Sequence, residues 1–88
     1  MIKKVNWTLN ASKDISYWKI KNKKIYDRIK LLIKDIEERP FIGLGKPEAL
    51  KYSLSGLWSR RINLEHRLIY SVSDTNIIIY NCRFHYTK

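Results

Sequence analysis

The stretch LWSRRINLEHRLIYSV, residues 57–72, alternates with a period of two and so reads as strand rather than helix. Over residues 57–64, Trp58, Arg60, Ile62 and Leu64 share one side, and Leu57, Ser59, Arg61 and Asn63 take the other. Over residues 67–72, Leu68, Tyr70 and Val72 fall together, with Arg67, Ile69 and Ser71 opposite. Glu65-His66 joins these two runs, and Asp74-Thr75-Asn76 leads into a third, NIIIYNCRF, residues 76–84. Connections this short favour an antiparallel meander.

Upstream of the meander the period changes. In KKIYDRIKLLIKDIEERP, residues 23–40, Ile25, Ile29, Leu32, Ile33 and Ile36 trace one apolar stripe at helical spacing. Arg39-Pro40 ends it, because the residue before a proline avoids the helical region. A shorter helix precedes it, with Ile15 and Trp18 on one side, a break near Lys21 to Lys23, and Ser12 as the expected N-cap. Residues 2–9, IKKVNWTL, read as a first strand with Val5 and Trp7 on one face. PFIGLGKP, residues 40–47, reads as a loop. Its GLG follows a helix and lacks the Lys-Ser/Thr pair of a phosphate cradle. One strand, a helical hairpin and a three-stranded meander predict a two-layer α+β domain. At 88 residues, a single domain spanning 1–88 is expected.

Charge narrows the partners. Lys and Arg total 18 against 8 acids, a formal charge of +10, which repels itself unless a polyanion or an acidic protein is near. Nucleic acid is the first partner expected from this balance. No apolar run approaches the roughly 20 residues of a spanning helix, so a membrane is not expected. MIKKVNWTLNAS, residues 1–12, has no continuous apolar core and does not read as a signal peptide. The one cysteine, Cys82, cannot form an internal disulfide, so a reducing cytoplasm is the expected compartment. Cys82 sits in an apolar run and reads as a small buried hydrophobe.

Arg61 and Arg67 fall on the side of the meander with fewer large apolar groups. Neighbouring strands bring such residues close, and two cations in proximity are unfavourable without an anion between them. A phosphate fits the planar fork of arginine. A solvated edge with Glu65 as ion-pair partner explains the same residues, and spacing leaves both open. Glu48, in KPEALK, is either a surface ion pair with Lys46 and Lys51 or a proton acceptor. His85, in FHY, is either an exposed terminal histidine or a proton donor. A carboxylate, an imidazole and two guanidiniums are what metal-free RNA cleavage requires. Neither His66 with His85 nor Cys82 with His85 has the spacing of a metal site, so no metal or other cofactor is expected.

GKPEALKYSLSGLWSRRINLEHRLIYSV, residues 45–72, followed by NCRFHY, residues 81–86, closely resembles the Txe/YoeB toxins of bacterial toxin–antitoxin pairs, within the RelE/ParE superfamily. The specific elements are GKPE, LSGxWSRRI, EHRLxY and CRxHY. The resemblance is dense from Arg39 to Tyr86 and looser before it. It implies a RelE-like fold and a ribosome-dependent mRNA endoribonuclease, cutting in the decoding site without a metal. Carried over by position, it implies Glu48 as general base, His85 as general acid, Arg67 as the main phosphate-stabilising cation and Arg61 as its support. It makes Tyr86 an aligning or stacking aromatic and Lys51 an RNA contact. Lys46 and Arg60, flanking these positions, are expected to contact RNA as well. The implied partners are mRNA on the ribosome, ribosomal RNA, an acidic antitoxin and a second copy of the chain. Lys3, Lys4, Lys13, Lys19, Lys21, Lys23 and Lys24 are assigned to ribosomal RNA. Members commonly end at His-Tyr, whereas this chain continues with Thr87-Lys88. The alternatives are a non-catalytic inhibitor of the same superfamily and a plain RNA-binding module.

Overall fold

A computed structural model describes residues 3–84. The chain runs β1 (Lys4–Trp7), α1 (Leu9–Lys21), α2 (Lys23–Glu38), β2 (Glu48–Ala49), a 3-10 turn (Tyr52–Leu54), β3 (Trp58–Arg61), β4 (Arg67–Val72) and β5 (Asn76–Asn81). The strands form one five-stranded sheet in the order β1-β5-β4-β3-β2. The expected antiparallel meander is present, and β1 adds to it parallel to β5.

The helical hairpin turns on one residue. The Asn22 amide donates to Trp18 O, closing α1, and its side-chain oxygen accepts from Ile25 N at 3.2 Å, opening α2. Asparagine suits the second role because its short side-chain amide competes well for backbone partners, while the first uses only the backbone N–H. The cap of α1 differs from expectation. Thr8, not Ser12, accepts from Ala11 N at 3.1 Å, while its hydroxyl donates to Tyr80 O at 2.8 Å. The helix thus starts earlier because one hydroxyl both caps it and ties it to β5.

The α2 stripe packs as its spacing requires: Ile29, Leu32, Ile33 and Ile36 are buried with Trp18, Ile62, Leu68, Tyr70, Ile77, Ile79 and Cys82. Trp58 and Val72 pack against the same cluster. Both helices therefore cover the side of the sheet that carries Trp58, Leu68, Tyr70 and Val72. Strand β3 ends at Arg61, shorter than its sequence pattern, so Leu64 is 88% exposed in the following turn rather than facing the core. Cys82 is fully buried, and burial together with the nearby Asp14 carboxylate pushes its thiol up to about 12. Among the described residues no helix is long and apolar enough to cross a membrane.

Candidate active site

Register decides which side chains can meet. Residues paired across neighbouring strands point to the same side of a sheet. Glu48 pairs with Ser59, Ser59 with Ile69, and Arg61 with Arg67. Glu48, Arg61 and Arg67 therefore share one face, the face turned away from the helices. Strands lie roughly 4.8 Å apart and alternate residues roughly 7 Å along a strand, so the Glu48 and Arg67 backbones are on the order of 12 Å apart. Long side chains reaching inward across that span can flank one phosphodiester.

Among the described residues, no carboxylate pairs with the arginines of this face. Arg67 is half-buried, and its Nη1 donates to the carbonyls of Asn63 (2.9 Å), His66 (3.2 Å) and Leu64 (3.3 Å). Among the described residues, its Nε and Nη2 meet no acceptor. The Arg61 guanidinium is exposed and also meets none. The ion pair with Glu65 does not form; that carboxylate lies 3.6 Å from His66 Nε2 instead. Glu48 is exposed and makes no ion pair with Lys46 or Lys51. Residues 48–54 line an open cavity of about 480 Å³, which places Lys51 beside Glu48. Lys46 is exposed next to Pro47, with a φ of 51°.

Arg60 corrects the expectation placed on it. It is fully buried and cannot touch RNA. A guanidinium has five N–H donors, and each finds a protein acceptor. Nε donates to Tyr70 Oη (3.2 Å), Nη1 to Asp35 Oδ2 (2.5 Å) and Leu44 O (3.1 Å), and Nη2 to Arg39 O (2.5 Å) and Ile42 O (2.8 Å). Asp35 also accepts from Arg39 and from Leu44 N. Burial pushes the Asp35 carboxyl up, but the hydrogen bonds from Arg39, Arg60 and Leu44 outweigh it and hold it at about 2. Tyr70 Oη, whose own ionisation burial opposes, donates to Pro40 O at 2.8 Å. This knot pins the loop from Arg39 to Gly45 onto the sheet. Gly45, at φ +79°, passes so close to β3 that a Cβ there would lie 2.8 Å from Arg61 O. The loop delivers Glu48 to β2.

The opposite margin of the face is set by the end of β5. A register shift between Ile69 and Tyr70 inserts an extra residue in β5, and the chain then runs on beside the start of β4. Cys82 N donates to Asp14 Oδ2 (3.0 Å), Trp18 Nε1 donates to Cys82 O (2.9 Å), and Arg67 N donates to Phe84 O (3.1 Å). The residue before His85 is thus bonded to the backbone of Arg67. His85 and Tyr86 themselves lie outside the described residues.

Three contributors were not evident in the sequence pattern. The β2 pair is too short to alternate. Asp35 interrupts the α2 stripe, and Arg60 had fallen on the core side of β3; an acid and a base both facing the core is the signal that they pair. His66, considered only as a metal ligand, is buried between Trp18 and Phe84. Among the described residues no group of three or more His, Cys, Asp or Glu side chains is placed to hold a metal ion. Lys3 and Lys23 have intramolecular partners, the carbonyls of Ser73 and Asp74 for one and the Asp27 carboxylate for the other.

Comparison with known proteins places the sequence and the fold. The family described as YoeB-like toxin of bacterial type II toxin–antitoxin system matches residues 7–86. Toxin YoeB of Escherichia coli K12 is 49% identical over 83 residues, covering 94% of this chain and 99% of that one. A solved YoeB/ParE toxin from Agrobacterium tumefaciens superposes with a TM-score of 0.92 at 42% identity, over 94% of this chain and 99% of that one. The chain is also similar to Staphylococcus aureus YoeB, solved as a dimer (TM-score 0.91, 40% identity) and in complex with YefM (TM-score 0.88, 41% identity), each over 98% of this chain and 100% of that one. On sequence and fold alike, this chain belongs to the YoeB-like toxins of bacterial type II toxin–antitoxin systems.

Proposed function

We propose that the chain is a ribosome-dependent mRNA endoribonuclease that arrests translation and growth. The observation that carries this is the helix-free face, which Glu48, Arg61 and Arg67 share with no ion-pair partner among the described residues. In this reading Glu48 takes the proton of a ribose 2′-hydroxyl. The 2′-oxygen attacks phosphorus, the bond to the 5′-oxygen breaks, and His85 protonates that leaving oxygen. The products carry a 2′,3′-cyclic phosphate and a 5′-hydroxyl. Arg67, supported by Arg61, stabilises the charge that builds on the phosphorane. Two guanidiniums with no counter-charge among the described residues suit a group that becomes more negative in the transition state. Tyr86 aligns the substrate, and Lys51 and Lys46 hold its backbone.

The formal charge of +10 supports the wider assignment of the remaining exposed lysines to ribosomal RNA. It equally suits an acidic antitoxin, which would neutralise the toxin by covering or perturbing this face. A homodimer is the assembly proposed, in line with the solved Staphylococcus aureus relative. Binding to ribosomes then weakens steeply as salt rises, because each phosphate contact releases counterions.

The test is incubation of purified protein with ribosomes and a defined message, followed by mapping of new 5′ ends. New ends that vanish in Glu48→Gln and His85→Ala support the proposal. Growth arrest that persists in His85→Ala, with no new ends, points instead to a non-catalytic inhibitor. Protection of the message without cutting points to a plain RNA-binding module.

A further inference from the structure

We infer that His66 is a positioning residue that fixes Phe84, the residue before His85, an inference whose catalytic consequence rests on the nuclease reading. Three observations converge. First, Phe84 N donates to His66 Nδ1 at 2.7 Å, across 18 residues of sequence. An imidazole nitrogen that accepts an amide N–H carries no proton, so the ring is neutral with its hydrogen on Nε2. Second, Phe84 has φ +63°, a conformation that bulky L-residues rarely occupy and that persists only where surrounding bonds impose it. The two backbone bonds of Phe84, to His66 Nδ1 and from Arg67 N, are those constraints. Third, the His66 ring is itself held, edge-on to Trp18 at 4.7 Å between centroids and tilted on Phe84 at 5.5 Å.

The preceding residues are tied just as closely, Cys82 to α1 through Asp14 and Trp18, and the Arg83 guanidinium 3.6 Å above the Tyr17 ring. His66 supplies the last side-chain anchor before His85. It also neighbours Arg67 in sequence, and Arg67 Nη1 donates to the His66 carbonyl. One residue therefore meets both the Arg67 guanidinium and the backbone of Phe84, which precedes His85. A proton donor displaced by an ångström loses most of its effect, so the anchor governs the chemical step rather than substrate binding.

The experiment compares His66→Leu, His66→Asn and His66→Gln in the intact protein. Leucine fills the space without an acceptor. Asparagine places an oxygen where Nδ1 stands, and glutamine places it one bond too far. Two readouts are taken: amide hydrogen exchange at Phe84, and single-turnover cleavage of a message on ribosomes. The expected result is faster Phe84 exchange and slower cleavage in His66→Leu, each on the order of tenfold. The ribosome concentration for half-maximal rate stays unchanged. Asparagine restores both readouts and glutamine restores neither. Equal behaviour of asparagine and glutamine overturns the inference, even if the leucine variant fails to fold, because size alone then explains the site. Unaltered Phe84 exchange in a folded His66→Leu overturns it as well. If the unsubstituted protein cuts no message, the nuclease reading fails and the catalytic consequence with it. The exchange comparison then separately decides whether His66 anchors the tail.

Discussion

Arg60 and Arg61 are neighbours in sequence and opposites in every physical respect. One points into the helix-covered side of the sheet, where all five of its donors are used and a buried carboxylate balances its charge. The other points to the open side, where it stands across from Arg67 with no acceptor among the described residues. A strand alternates its side chains, so one step along the chain exchanges a cation that the protein balances for one that the described residues leave unbalanced. The lesson is that a charge is assigned a role by what balances it. Where the protein supplies the counter-charge, the group holds the fold; where the described residues do not, the proposed function gives the group an anion to meet.

The largest effect expected from breaking this contrast comes from Arg60→Ala. It leaves Asp35 with only Arg39 and Leu44 N as donors, strips four further oxygens of their shared donor and empties a buried volume, and should cost roughly 3–5 kcal/mol, read as a collapse of the urea midpoint. Arg60→Lys should rescue little, because three donors cannot serve five acceptors. On the open side, Glu48→Gln should lower ribosome-dependent cleavage by roughly 10²–10⁴ while leaving the urea midpoint nearly unmoved. A stability loss as large as that of Arg60→Ala would erase the distinction between the two faces.

Acid sharpens the comparison further. The Asp35 carboxyl is held at about 2 against an ordinary 3.8, so its folded-state value is depressed. The stability it contributes is fully present above the ordinary value and is lost as pH falls through about 2. The contribution is roughly 2 kcal/mol, and urea midpoints measured from pH 6 down to pH 2 should show it. Asp35→Asn, although less stable overall, should lack that slope. The smallest effect is expected of Arg61→Ala. It should shift the urea midpoint by under about 0.5 kcal/mol and slow cleavage on the order of tenfold, less than Arg67→Ala in the same assay.

Much of the fold was legible because it rests on periodicity. The α2 stripe packs as its spacing demands, the meander forms, and the hairpin breaks within the expected three residues. What escaped depends on bonds between distant residues. Thr8 outcompetes Ser12 as a cap because its hydroxyl also reaches Tyr80 O, a partner 72 residues away. The two-residue β2 exists because β3 offers a free edge, not because Glu48-Ala49 favours strand. At the site, alternation correctly put Arg61 and Arg67 on one face. It also put Arg60 on the core side, where expecting it to touch RNA conflicted with its own position. His66 was unreadable in sequence, since its role depends on where the chain end returns. His85 and Tyr86, the remaining expected members, lie outside the described residues.

The knot around Arg60 has one more consequence, for proteases. Phe41 and Ile42 offer exposed apolar side chains on the loop ahead of Glu48, which would ordinarily invite cleavage. A protease needs several residues drawn out as an extended strand, and here the carbonyls of Arg39, Pro40, Ile42 and Leu44 are all tethered to one buried cluster. The segment cannot lift away without dissolving that cluster, so its cutting should keep pace with opening of the whole sheet-and-helix unit. A stretch that looks vulnerable from outside is thereby among the last to yield.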